Sequence, residues 1–202
     1  PEAYKATGMP REMLFDLVMP GDVLGYVTEE AAQATGLPVG TPVVATSNDK
    51  AVEGLGTGCM GDSTVCISLG TYTSAMMEGK ENLKGTSYAW PKFSCMPNKY
   101  LYDSNGIRRG MWTVSWYRDI LGEGYAKLAA EQGMSPEEAL GKEAEQVPVG
   151  SDGLMTVLNW LANVDARYQK GIMIGFDGRH TRGHIYRSIL EAVAMTMKGH
   201  VT

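Results

Sequence analysis

The chain is poor in the residues that build disulfide frameworks and zinc sites. Its 202 residues hold three cysteines, Cys59, Cys66 and Cys95, and no C-x-x-C pair. An odd, unpaired set of this kind argues against both and fits a reducing, cytoplasmic setting. No apolar run reaches the roughly 18–20 residues that cross a bilayer, and no basic-then-apolar leader opens the chain. Membrane insertion and export are therefore not expected. Block charge is missing too: 18 basic against 23 acidic residues give a net charge of −5. Without a basic patch the electrostatic footprint of a nucleic-acid binder is absent. No G-x-x-x-x-G-K-[ST] sequence exists, which removes the P-loop nucleotide fold. There is no internal repeat and no low-complexity tract.

What is present is glycine, 25 residues of it, in a chain that is 44% apolar. That composition describes an ordinary globular protein with many tight turns or backbone-lined sites. The opening is broken by Pro10, Pro20, Gly21 and Gly25, so only a short helix around 11–17 is expected. Thr28 is placed to cap a helix, Glu29 and Glu30 suit its first turn, and Gly36 suits its end. PVVATS then reads as a buried strand ending at Asn48 and Asp49, after which DKAVEGLG resumes helical spacing. STVCISLG, GTY and TSAMM read as strand, turn and strand, a hairpin. Residues 78–102 read as irregular strands and loops. Met111, Val114, Trp116, Tyr117 and Ile120 make one helical face. Ser135 with Pro136, Glu137 and Glu138 is a capping box, GLMTVLNW is a further buried strand, and a long helix begins at Thr181 or Arg182.

GTGCMG at 56–61 matches G-x-G-x-x-G, but a helix precedes it and a strand follows. That is the reverse of a dinucleotide site, so the segment reads as a joint between domains. His180 and His184 share a helix face as zinc ligands do, yet four ligands are wanted and His200 is the only other histidine. Hydrogen bonding at a helix end is the simpler role, and no metal residue is assigned.

Two elements carry chemistry. Asp49 stands where a strand turns into a helix, an edge at which α/β sheets bind ligands. From the spacing alone a helix cap is the better reading, because Asp is a preferred capping residue. The Gly70-Thr71 turn offers backbone N–H groups and a hydroxyl suited to phosphate oxygens, and a plain hairpin turn is the alternative.

Taken together and in this order, the segments resemble the FGGY family of carbohydrate kinases, which includes xylulokinase, gluconokinase and glycerol kinase. GLPVGTPVVATSNDKAVEGLGTG resembles the stretch leading into the family's catalytic aspartate, and GDSTVCISLGTYTSAM its second phosphate loop. Gly110 with SWYRD at 115–119 resembles the helix flanking the nucleotide, and GIMIGFDGRHTRGHIYRSILE at 171–191 the C-terminal signature. This chain differs in four places: Lys50 follows the aspartate instead of Gln or Asn, Tyr72 follows the phosphate threonine, Phe176 stands where a smaller aliphatic is usual, and no GER-x-P segment follows the 153–160 strand.

The resemblance implies an actin-like, ribonuclease-H-like fold of two α/β domains, incomplete here. Residues 1–58 would be the end of the sugar-binding domain and 59–202 the start of the nucleotide-binding domain. It implies ATP-dependent phosphorylation of a sugar or polyol, with Asp49 as general base and Asp49 and Lys50 at the acceptor. Gly70 and Thr71 would hold phosphate, Gly110 would lie beside the nucleotide, and ATP with Mg2+ would be required. Magnesium and adenosine contacts would lie outside the chain, so the 202 residues alone would be inactive. A catalytically silent sugar-binding relative is the rival reading, and a homodimer is left open.

Overall fold

A computed structural model describes residues 2–86 and 89–202. The described residues form six α-helices, α1 (Glu2–Thr7), α2 (Glu29–Thr35), α3 (Asp49–Gly56), α4 (Gly110–Glu131), α5 (Pro136–Glu145) and α6 (Arg182–Val201), eight strands and three short 3-10 turns. The strands are β1 (Val23–Tyr26), β2 (Pro42–Val44), β3 (Cys66–Leu69), β4 (Thr73–Gly79), β5 (Ala89–Phe93), β6 (Tyr100–Ser104), β7 (Met155–Val157) and β8 (Ile172–Ile174).

The local signals act as their chemistry dictates. Ala31 N donates to Thr28 Oγ at the start of α2, and Gly36 ends it with φ 77°. Ser135 and Glu138 cap each other's end of α5. Thr181 is the N-cap of α6, with His184 in the reciprocal place. The expected helix at 11–17 is only a 3-10 turn, Arg11–Met13, since Pro10 limits one side and extended backbone at Leu14 the other. Residues 78–102 are more regular than their sequence suggests, because β5 and β6 find partners in one sheet; residues 87 and 88 of that stretch lie outside the described residues.

The central sheet is antiparallel, in the order β3-β4-β6-β5, so β3 and β5 are its edges. α4, α5 and α6 pack together around Val114, Tyr117, Leu140, Tyr186 and Ile189. A smaller cluster, Ala51, Met76 and Leu101, seats α3 on the sheet. Gly122, with φ 72°, breaks α4, a conformation that costs glycine little. Among the described residues β2 pairs only with β1, and Pro42, Val43 and Val44 are all exposed, so the expectation of a buried strand there is not met in this chain. β7 is likewise buried only at Thr156. Among the described residues no helix is long and apolar enough to cross a membrane.

Candidate active site

The candidate residues lie in two places, where α3 meets the sheet and at the tip of the β3-β4 hairpin. Asn48, not Asp49, caps α3: its Oδ1 accepts from Ala51 N at 3.2 Å. Asp49 is the first helical residue and is exposed, and its Oδ1 accepts from the Lys50 amide at 2.8 Å. Of the two readings of Asp49, the cap is therefore taken by its neighbour, which is an equally good capping residue. The carboxylate keeps lone pairs available, at the positive end of a helix. Ser47 Oγ and Asn48 Nδ2 both donate to the Phe93 carbonyl, at 3.0 and 3.4 Å, which ties the turn before α3 to the end of β5.

Lys50 turns toward the opposite edge of the sheet. Its Nζ donates to Glu53 Oε2 at 2.9 Å and to Ser68 Oγ of β3 at 2.7 Å, and Ser68 Oγ donates in turn to Glu53 Oε2 at 3.3 Å. Glu53 and Ser68 were not singled out from the sequence. The i,i+3 spacing of Lys50 and Glu53 signals their pairing, but nothing local announces Ser68.

The phosphate-loop candidates sit at the tip of the β3-β4 hairpin, as the strand-turn-strand reading requires. Thr71 is exposed, and its hydroxyl has no partner among the described residues. The turn carbonyls are occupied: Gly110 N donates to Thr71 O at 2.8 Å and Met111 N to Gly70 O at 3.2 Å. Gly70, Thr71 and Gly110 are thus brought into direct contact, with the hairpin tip against the start of α4. Tyr72 supports the same junction. Its hydroxyl accepts from Gly106 N at 2.8 Å and donates to Ser104 O at 3.2 Å. The tyrosine after Thr71 is therefore a strut between the turn and the loop leading to α4.

The remaining candidates have local roles. His180 Nδ1 accepts from Asp177 N at 2.8 Å, and His184 Nδ1 accepts from Thr181 N at 3.2 Å, hydrogen bonding at a helix end in both cases. In the GTGCMG joint, Cys59 is buried, with its thiol donating to Thr64 O at 3.2 Å. Burial pushes that thiol's pKa up, so it stays protonated. Lys99 Nζ holds the same joint by donating to Met60 O at 3.0 Å, while pairing with buried Glu78 at 3.1 Å.

No family model matches the chain. Among curated proteins it is 54% identical over 192 residues to an uncharacterized sugar kinase, YgcE, of Escherichia coli, a match covering 95% of this chain and 39% of that protein. It is 26% identical over 200 residues to the L-fuculokinase of Salmonella typhi, covering 98% of this chain and 39% of the other. Among solved structures, the xylulose kinase of Rhodospirillum rubrum superposes with a TM-score of 0.78 at 27% identity, over 99% of this chain and 39% of that one. The chain thus spans 39% of the length of each of these relatives.

Proposed function

The chain belongs to the FGGY family of carbohydrate kinases and carries part of their actin-like, ribonuclease-H-like α/β fold, and from that premise we propose that the whole protein transfers the terminal phosphoryl group of ATP to a hydroxyl of a sugar or polyol. Asp49 is the general base. The observation that carries this reading is a helix-leading carboxylate freed of capping by Asn48, on a helix packed over the sheet whose hairpin ends at Gly70 and Thr71. The names of the relatives, a sugar kinase, an L-fuculokinase and a xylulose kinase, support the substrate class.

In the proposed reaction the acceptor hydroxyl attacks the terminal phosphorus, the bond to the bridging oxygen breaks, and Asp49 takes the hydroxyl proton as the new P–O bond forms. The products are sugar phosphate, ADP and a protonated Asp49 that returns its proton to solvent. Phosphoryl transfer of this type depends on position and charge more than on base strength, so an ordinary exposed carboxylate suffices. Thr71 Oγ and the Gly70-Thr71 backbone hold phosphate oxygens, and Gly110 borders the nucleotide. Lys50 belongs to the acceptor side. Bound Mg2+ would neutralise phosphate oxygens; among the described residues no group of three or more acidic, cysteine or histidine ligands gathers to hold it, and no residue of this chain is assigned to it. We place the boundary between the sugar-binding and nucleotide-binding domains at Gly58, in the joint that follows α3.

The test is phosphate transfer by the intact protein, with the segments its relatives carry beyond the matched part, across a panel of neutral and acidic sugars and polyols. Transfer to at least one acceptor, lost in Asp49→Asn, is expected. Sugar binding without transfer to any acceptor would favour the silent relative.

A further inference from the structure

We propose that Lys50 is a positioning residue that sets the acceptor side of the site against the phosphate side, by fastening the helix led by Asp49 to the strand that runs into the Gly70-Thr71 turn. This rests on the kinase reading above and goes beyond it.

Asp49 and Thr71 lie on separate stretches of chain, joined by the glycine-bearing segment at 56–61. An in-line transfer needs the base, the acceptor oxygen and the phosphorus in one narrow geometry. Something must therefore register α3 on the sheet. Its apolar contact, Ala51 against Met76 and Leu101, supplies adhesion but little direction. Direction comes from hydrogen bonds at both edges of the sheet. Ser47 and Asn48 are held by Phe93 at the end of β5, one edge, and Lys50 by Ser68 of β3, the other. Asp49 stands between the two anchors.

The Lys50 anchor is the one that reaches the strand carrying the Gly70-Thr71 turn. Ser68 lies two residues before Gly70, on the strand that carries the turn, so a shift at Ser68 is a shift at the phosphate loop. The lysine side chain is only 19% exposed, and its charge is answered by Glu53. Both partners also bond each other, which closes a three-membered network of Lys50, Glu53 and Ser68. Beside Met76 and Leu101 the same face carries polar residues: Ser68 pairs with Ser74 across β3-β4, and Met76 pairs with Asp103 across β4-β6, which puts Ser68, Ser74 and Asp103 on one face. Ser74 Oγ and Asp103 Oδ1 are buried there without a partner among the described residues, while Asp103 Oδ2 accepts from Lys92 at 2.6 Å. An ammonium already bonded to Glu53 and Ser68 acts as a fastening rather than as a free cation for an acidic sugar.

The experiment uses the intact protein and its best acceptor. Ser68→Ala, Lys50→Met and the double variant are compared with Ser68→Thr, which keeps the hydroxyl. Each of the first three is expected to lower kcat roughly tenfold, with the KM for ATP and for sugar little changed, since a misplacement of an ångström costs up to about 100-fold in rate. The double variant should be no slower than the slower single one, and Ser68→Thr should restore most of the rate. Hydrogen exchange of the α3 amides should quicken in the three disabled variants and not in Ser68→Thr. Wild-type kcat and exchange in Ser68→Ala would overturn the proposal. So would a Lys50→Met effect confined to the KM of acidic sugars, which would make Lys50 a substrate contact. Asp49→Asn made alongside separates the two ideas: its inactivity beside a fully active Ser68→Ala sinks the fastening and keeps the kinase. If the wild type transfers nothing, the kinase reading fails, and exchange in α3 still decides the fastening.

Discussion

Gly110 faces Thr73 so closely that a Cβ added to Gly110 would overlap the threonine's Oγ and Cβ. Thr73 Oγ donates to Gly70 O at 3.1 Å, and Thr73 pairs through its backbone with Ile107. The absence of a side chain at 110 is thus what lets the first turn of α4 close on the phosphate-loop candidate.

Gly110→Ala should therefore disturb the fold as well as the site. A loss of about 1–3 kcal/mol is expected, the usual cost of overpacking. Thermal unfolding of the intact protein would measure it, and nucleotide affinity should fall in the same variant. An unchanged melting temperature with weakened ATP binding would show that the nucleotide alone requires the glycine.

Asp49→Asn should lower turnover by at least about 100-fold while leaving stability nearly unchanged, because α3 is capped by Asn48. Asn48→Ala should do the reverse in stability, costing about 1 kcal/mol. Steady-state rates and melting curves of the two variants together separate chemistry from capping.

Thr71→Ala should weaken ATP binding and slow transfer without changing sugar affinity. A hydrogen bond to a charged partner contributes about 1.5–3 kcal/mol, so a loss of roughly ten- to 100-fold in ATP affinity is expected. Tyr72→Phe, which removes the contacts to Gly106 and Ser104, should act in the same direction by loosening the turn. Titration calorimetry with nucleotide and with sugar provides the contrast.

The pH dependence of stability should fall on the alkaline side through two core tyrosines. Burial first, and the charge of Glu143 next, push Tyr117 up to about 12. Tyr125 is also pushed up to about 12, by burial and then by its hydrogen bond to Glu143. An unfolded phenol ionises near pH 10. The fold's preference for the neutral phenols is fully present below about pH 10 and is lost as the pH rises from there to about 12. Melting temperature should drop over that window, and Tyr117→Phe should flatten the drop.

Residues 1–202 on their own are expected to show no kinase activity and to self-associate. Phe15 and Leu17 are about as exposed as in an unfolded chain, at 95% and 96%, and the valines of β2 are uncovered. Exposed apolar side chains of this size favour association. Size-exclusion chromatography and a coupled phosphorylation assay test both parts, and a monodisperse, active preparation would contradict them.

Sequence by itself determined the elements whose signals are local. Thr28 and Gly36, Ser135 and Glu138, and Thr181 each bound a helix through hydrogen bonds that span three or four residues, so their partners are always within reach. The hairpin was legible at 63–77 from its strand, turn and strand pattern, and the resemblance to the family's motifs singled out Asp49, Gly70, Thr71 and Gly110 as candidates. The tertiary structure decided what depends on distant partners. β5 and β6 exist as strands because the sheet pairs them, and β2 is exposed because, among the described residues, β1 is its one strand partner. The cap of α3 went to Asn48 although Asp49 would serve, since the Phe93 carbonyl of β5 also holds Asn48 in place. Lys50 faces Ser68, 18 residues away, and Tyr72 reaches Ser104 and Gly106 more than 30 residues on. No periodicity or spacing encodes such pairs; they follow from packing, which brings residues remote in the chain within hydrogen-bonding distance.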